Sequence, residues 1–322
     1  MGFRTEANNT AVYVEIVHLR GLSDEQEGLC YALRKEAGRC WSEMVQAHVA
    51  SRGNKTWLKG EEIEKAFKGK YALHSTSIQG LAQKLKANIA TARQLRAKQK
   101  AAKQEVTAKF PYRCKAFQTV LWKESAVRVD GGQLRLSNGR GQPSLVLALP
   151  ERYREADICR VELTWRADHY ELCLTIDTGH PLPAPKEHSR FAGVDLGEIH
   201  IAAVATEDGD TLLVNGRALR ATKQLRNKRH ADYTARLSRC KQGSKRYRRL
   251  VRGKTRASAK CYRQQRDILH KASRQVVDFC AEHHISTLAV GDVRDIQDGV
   301  SFGKKTNQKI AQWAHGRFKK YL

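Results

Sequence analysis

The sequence lacks what would place it in a membrane or mark it for export. No apolar run in its 322 residues approaches the ~20 that a transmembrane helix needs. The first ten residues, Met1 to Thr10, are polar and carry no signal-peptide pattern, so the chain reads as intracellular. Proline is scarce: there are six, and three of them fall in His180-Pro-Leu-Pro-Ala-Pro185, which reads as a linker. The eight cysteines, at 30, 40, 114, 159, 173, 240, 261 and 280, form no Cys-x-x-Cys pair. Neither a zinc site nor a disulfide framework is indicated, and most of them read as reduced core thiols. Acid is in deficit, with 33 Asp and Glu against 59 Lys and Arg and a net charge of +26. Such a surplus does not suit a typical metabolic enzyme. It implies a polyanionic partner, nucleic acid ahead of a membrane surface.

The acids are also unevenly spread. None lies between Glu64 and Glu105, where a long helix is expected from about Ser77 to Ala108. Ile78, Leu81, Leu85, Ile89, Ala92 and Leu95 give it one apolar face. The other face carries Lys84, Lys86, Arg93, Arg96, Lys98, Lys100 and Lys103 without the usual i,i+4 acids, and reads as phosphate-facing rather than merely solvated. The stretch Arg217–Arg274 holds twenty-one Lys and Arg against two acids, Asp232 and Asp267. Gln242-Gly-Ser-Lys breaks it into two helices, the second with an apolar stripe of Ile268, Ala272, Val276 and Phe279.

Around these basic regions the pattern changes. Residues 11–19 alternate as a strand, and Ser23-Asp-Glu-Gln26 is a capping box that opens a helix to about Ala50. A shorter helical piece spans 60–72. From Phe117 to Ile176 six short strands are expected, at 117–120, 126–129, 133–136, 144–149, 158–165 and 170–176, with glycine-bearing turns among them. Such strands suggest a small barrel or sandwich, joined by the strand at 11–19 and split by the helical region.

After the linker, Phe191-Ala-Gly-Val194 delivers one carboxylate, Asp195. The run Ile199–Ala205, the turn Glu207-Asp-Gly-Asp210 and the run Thr211–Val214 then read as a hairpin. An RNase H-like fold opens this way, with a metal-binding acid on its first strand; an ordinary strand-end Asp in a turn is the alternative. A further buried strand is expected over 285–293, and a final helix within Gly303–Leu322.

Four segments in this order resemble the TnpB family, transposon-encoded RNA-guided DNA endonucleases related to type V CRISPR effectors. They are Gly193-Val-Asp-Leu-Gly197, Arg236-Leu-Ser-Arg-Cys-Lys-Gln-Gly-Ser-Lys-Arg246, Asp267-Ile-Leu-His-Lys-Ala-Ser273 and Leu288-Ala-Val-Gly-Asp-Val293. The resemblance implies an α+β multidomain chain. A split β-barrel wedge (1–22 and 109–180) would contain an inserted helical recognition lobe (23–108). A linker (181–190) would lead to an RNase H-like RuvC domain (191–322), incomplete at its C-terminus. It implies guide RNA and target double-stranded DNA beside a short motif as partners, no membrane, a monomer, and a cytoplasmic, nucleoid-associated place in a prokaryotic cell. Mg²⁺ would be the cofactor, with Asp195 its ligand and Asp195 and Asp292 the catalytic candidates. Nucleic-acid contacts would come from Lys84, Arg93, Arg96, Lys98, Lys100, Arg113, Lys115, Arg236, Arg239, Lys245, Arg246, Arg248, Arg249, Arg252, Lys254 and Arg256. The aromatic-basic run 110–117 would lie at the wedge–lobe junction, with domain packing the alternative role for its aromatics.

Two departures qualify the catalytic expectation. The family places a Glu in its second RuvC motif where this chain has Gly291, and strand alternation turns Asp292 to the other side unless the strand ends or bulges there. The family's zinc-binding cysteine pairs and third RuvC acid are expected beyond Leu322. Cleavage by paired metal ions needs converging carboxylates, which Asp195 alone does not supply. Three functions stay open: an RNA-guided nuclease, a nuclease-dead RNA-guided DNA binder acting by occupancy, and a structural ribonucleoprotein component.

Overall fold

A computed structural model describes residues 10–57, 60–181, 190–293 and 302–322. The chain divides into two compact units, 1–182 and 183–322, each with its own apolar core.

In the first unit, strand β1 (Thr10–Leu19) leads to helix α1 (Asp24–Gly53). The capping box forms as the sequence predicts: Ser23 Oγ accepts from the Gln26 amide at 3.2 Å, and Gln26 Oε1 accepts from the Ser23 amide at 3.0 Å. Helices α2 (Gly60–Phe67) and α3 (Ser75–Ala101) follow. Leu33, Ala37, Trp41 and Met44 of α1 and Ile78, Leu81, Leu85 and Ile89 of α3 are buried in one core. The third helix ends short of the expected Ala108. Lys103 adopts φ +52°, which reverses the chain. The Ala108 amide then donates to Gln99 Oε1 at 3.1 Å, and Arg96 Nη1 donates to Ala108 O at 2.7 Å. The last turn is thus capped by its own returning segment.

Strands β2 (Val120–Lys123), β3 (Val127–Asp130), β4 (Gln133–Leu136), β5 (Leu145–Ala148), β6 (Asp157–Trp165) and β7 (Tyr170–Pro181) complete the unit. The first of these begins three residues later than expected, because the Gln118 amide donates instead to Arg34 O at 3.0 Å. As anticipated, β1 joins this sheet system across the helical region, pairing antiparallel with β7 from Leu19↔Tyr170 to Thr10↔Pro181. The strands form an open four-stranded sheet, β1-β7-β6-β2, and a three-stranded sheet, β3-β4-β5. Among the described residues no ladder closes them into a barrel. Trp122 of β2 is fully buried and donates its indole N–H to Ser137 O, just past β4, at 2.8 Å. The expected linker at 181–190 falls largely on 182–189, outside the described residues.

In the second unit β8 (Arg190–Asp195), β9 (His200–Thr206) and β10 (Thr211–Asn215) form an antiparallel meander. Helices α4 (Arg217–Ser238) and α5 (Lys245–Glu282) follow, then β11 (Ile285–Val290), α6 (Lys304–Ala311) and α7 (His315–Phe318). The last strand pairs parallel to β8, giving the order β10-β9-β8-β11. Ala192, Val194, Ala202, Val204 and Val214 of the meander join Leu269, Ala272, Val276 and Phe279 of α5 in the second core, with Phe318. The alternation that buries Ala192 and Val194 leaves Phe191, Gly193 and Asp195 exposed on the opposite face. Among the described residues no helix is long and apolar enough to cross a membrane.

Candidate functional site

Asp195 is the last residue of β8, on the exposed face of the sheet. The turn after it is shaped by Gly197, where an added Cβ would lie 2.6 Å from His200 O, so no side chain fits. Trp313 Nε1 donates to Gly197 O at 3.0 Å and fixes the turn from the C-terminal segment. The parallel ladder sets Val290 against Val194, and Gly291 N extends it by donating to Val194 O at 3.1 Å. Position 291 is therefore beside Asp195. Asp195, Gly193, Ala289 and Gly291 line one shallow open depression, with Leu213 at its border; Asp292 does not line it. A Cβ at 291 would meet only Val194 O, at an ordinary 3.6 Å, so the glycine there is not a steric requirement. Asp292 is exposed and lies just past the paired strand. Glu198, the nearest acid in sequence, faces the Arg220 guanidinium at 3.8 Å. Asp195 belongs to no group of three potential metal ligands among the described residues. One carboxylate facing a glycine does not make the donor set of a two-ion centre.

The cations are disposed differently on the two helical regions. On α3, Arg93 lies over the Trp57 ring at 4.6 Å, and Arg96 both holds Ala108 O and lies over Phe110 at 5.3 Å. Arg96 thus serves the fold. Lys98 and Lys100 are exposed. The Lys84 pKa is lowered by loss of solvent around its ammonium and by the Lys115 charge, which Glu162 opposes. The run 110–117 is docked on α1 through its backbone: Trp41 Nε1 donates to Arg113 O at 3.3 Å, and Ser42 Oγ donates to Lys115 O at 3.1 Å. Gly38 permits this approach, since a Cβ there would lie 2.4 Å from Ala116 O. Phe110 packs edge-on to Trp57 at 5.3 Å, which is the packing alternative, whereas Tyr112 is exposed beside Arg113.

In the second unit α4 and α5 pack together. Gly253 allows the contact, with Tyr233 Oη 2.9 Å from where its Cβ would be. Tyr247, Leu250 and Lys254 lie on the less exposed side of α5, and Lys254 donates to Thr234 Oγ1 at 3.0 Å. Arg236 pairs with Asp232 at 3.4 Å. Arg239, Lys245, Arg246, Arg248, Arg249, Arg252 and Arg256 are exposed and have no acidic partner among the described residues.

Residues 171–297 match the OrfB_IS605 family, described as a probable transposase. The match bears out the resemblance to TnpB, and it contains Asp195, both basic helices and Gly291. Among solved structures, the chain is similar to the protein of a cryo-EM structure of the Cas12f1–sgRNA–target DNA complex. The TM-score is 0.55 at 13% identity, covering 93% of this chain and 72% of that one. It is also matched to a CRISPR-Cas12f ternary complex at 12% identity, TM-score 0.35, covering 93% and 70%. The first of these is a likeness of fold. No curated protein matches the chain.

Some placements were not legible beforehand. All eight cysteines are free, but only Cys30, Cys40 and Cys261 are buried; Cys114 is exposed and the rest are half-buried, so most are not core thiols. Burial pushes the Cys30 thiol up to about 12, as expected of an inert packing residue. Lys223 of α4 is buried, and its pKa falls to about 8 through desolvation and the Arg317 charge, against the pull of Glu198. His18, His169 and Glu171 converge in the first unit. No sequence spacing announces that cluster, because it is made by the β1–β7 pairing.

Proposed function

We propose that this chain is an RNA-guided DNA-binding protein of the TnpB type, whose α4–α5 pair holds nucleic-acid phosphates. The observation that supports this most is the row of seven exposed cations with no acidic partner among the described residues, on a segment matching the transposase family. Unpaired guanidinium groups on one helix pair repel one another in the free protein, and a phosphate backbone relieves that repulsion. The first unit would supply the wedge and recognition roles, with Lys84, Lys98, Lys100, Arg113 and Lys115 as its phosphate contacts. The second unit would be the RuvC-like domain, since an antiparallel meander with a parallel fourth strand beside its acid-bearing first strand is the RNase H-like arrangement. By the same reading, guide RNA and a double-stranded target are the partners; the Cas12f1 complex holds an sgRNA and target DNA.

Within this reading, target occupancy is favoured over cleavage for the described residues, because Gly291 stands beside Asp195. In a cleaving form Asp195 would hold Mg²⁺, which would polarise the scissile phosphate; the described residues do not complete that centre, and no cleavage step is assigned to them. The test is purification under gentle salt, followed by extraction and sequencing of bound RNA. Binding of the ribonucleoprotein to a matched duplex is then measured with and without Mg²⁺. RNA-dependent duplex binding without cutting is expected. A nucleic-acid-free preparation with flat salt dependence would overturn the guided reading. Robust Mg²⁺-dependent cutting abolished by Asp195→Ala would overturn the occupancy reading alone.

A further inference from the structure

The first unit holds a side-chain cluster that nucleic-acid binding does not use. His18 of β1 stands directly across from Glu171 of β7, and His169 precedes it at the β6–β7 turn. His18 Nδ1, His169 Nε2 and Glu171 Oε1 form a nearly equilateral triangle with sides of 3.0, 3.2 and 3.2 Å. Glu171 is buried, with 2% of its side chain exposed, while His18 and His169 retain 35% and 22%.

Three atoms that can each serve as a metal ligand face one another in this triangle. His169 Nδ1 is 2.8 Å from Asp168 Oδ1, which calls for the proton on Nδ1. That leaves Nε2 as a lone pair, 3.2 Å from a carboxylate oxygen that is also only an acceptor. His18 Nδ1, 3.0 Å from the one and 3.2 Å from the other, can offer them a single shared proton, and a cation bound by all three atoms would take that proton's place. A tetrahedral ion with donors at 2.0–2.1 Å sets neighbouring donors about 3.3 Å apart, close to the sides observed. The surroundings fit as well. The Asp168 carboxylate behind His169 is the partner that orients a metal-bound imidazole, and Arg166 Nε holds the other oxygen of Glu171 at 3.0 Å. Asp168, Glu171 and Arg166 together carry one net negative charge, which a divalent ion offsets.

We propose that His18, His169 and Glu171 form a three-ligand site for a divalent cation of the zinc class, with water completing the coordination. Two imidazoles and one carboxylate suit Zn²⁺, Co²⁺ or Ni²⁺ rather than Mg²⁺. The ion would tie β1 to the β6–β7 turn, groups 151 residues apart in sequence and separated by the whole helical region. It would staple the seam on which the first unit closes.

The experiment strips the full chain with chelator and titrates it with Co²⁺, followed by displacement with Zn²⁺. One equivalent should develop the intense visible absorption of four-coordinate Co²⁺, with a dissociation constant below roughly 10 µM, and Zn²⁺ should abolish it. His18→Ala and His169→Ala should each weaken binding at least about tenfold. The wild-type titration stands by itself if either variant fails to fold. Absence of that absorption at 100 µM free Co²⁺ would overturn the proposal. So would thiolate charge-transfer bands, which would assign the ion to cysteines, or loss of the signal in Asp195→Ala, which would place it in the other unit.

Discussion

Replacing Arg246, Arg248, Arg249 and Arg252 together with Gln should flatten the salt dependence of RNA binding by a calculable amount. All four are exposed on α5 and have no acidic partner among the described residues. Gln keeps much of the helix-forming tendency and removes the charge. Each phosphate neutralised contributes about 0.7 to the log–log slope for single strands and about 0.9 for duplex. The seven cations contribute roughly −5 to −6 of the wild-type slope, a factor of about 1,000 to 4,000 in affinity between 50 and 200 mM salt. Three remaining contacts give roughly −2 to −3, a loss of about 20- to 40-fold over the same range. The assay is filter binding or fluorescence anisotropy across that range, with circular dichroism to show that α5 persists. Lys254→Gln and Arg236→Gln are internal comparisons, because these cations already face Thr234 and Asp232. They should change the slope by less than about 0.5 each. A quadruple variant with the wild-type slope, or comparison variants with equal effects, would refute the assignment of the phosphate-facing side.

Other outcomes follow from single positions. Gly291→Glu has room for its side chain beside Asp195 and should raise Mg²⁺ affinity above wild type in calorimetry; a folded variant with wild-type affinity would argue against the facing of 195 and 291. Arg113→Ala with Lys115→Ala should weaken duplex binding uniformly across sequences, and an altered preference in a motif-depletion assay would make them readers rather than anchors. Gly38→Ala should destabilise by about 1–3 kcal/mol in denaturant unfolding, since its Cβ would enter the backbone at Ala116, and an unchanged midpoint would contradict that contact. Lys223→Met should stabilise the chain at pH 7. With the folded pKa lowered to about 8 from 10.5, the cost of burying the charged amine is fully present below pH 8 and is relieved as pH rises toward 10.5. The ceiling is about 3 kcal/mol, and the advantage over wild type should shrink between those pH values in thermal melts.

Much of the architecture was written in local pattern. The capping box at Ser23, the break at Gly243 and the alternation of β1 all emerge where the residues place them, because caps, positive-φ glycines and period-two strands are local devices. The neighbourhood of Asp195 was legible too, since a parallel pairing of β8 with β11 is enough to bring 291 beside 195. What was hidden depends on contacts between distant segments. Residues 102–108 are good helix formers in composition, and their reversal onto Gln99 and Arg96 is a tertiary choice. The same reversal ties Arg96 to the Ala108 carbonyl. The packing of Phe110 on Trp57, about fifty residues earlier, and the convergence of His18 with His169, 151 residues apart, likewise depend on distant segments meeting.

The way the helices begin separates stability from binding within this one molecule. Helix N-termini carry partial positive charge, so acids in the first turn stabilise and bases destabilise by some 0.3–1 kcal/mol each. The first helix follows that rule, with Asp24, Glu25 and Glu27 in its opening turn. Helix α5 opens the opposite way, with no acid and with Lys245, Arg246, Arg248 and Arg249 among its first five residues. Ser244 satisfies the Tyr247 amide at 3.2 Å, but it brings no negative charge. Helix α4 likewise starts without an acid, at Arg217. A chain that caps and charges α1 in the stabilising sense has the residues to do so at α5 and does not. At α5 the missing acids coincide with four cations in the first five residues, and a phosphate at the start of α5 would meet helix dipole and side-chain charge together. The electrostatic cost of the free protein and the affinity of the bound one are, on this argument, the same charges counted in two states.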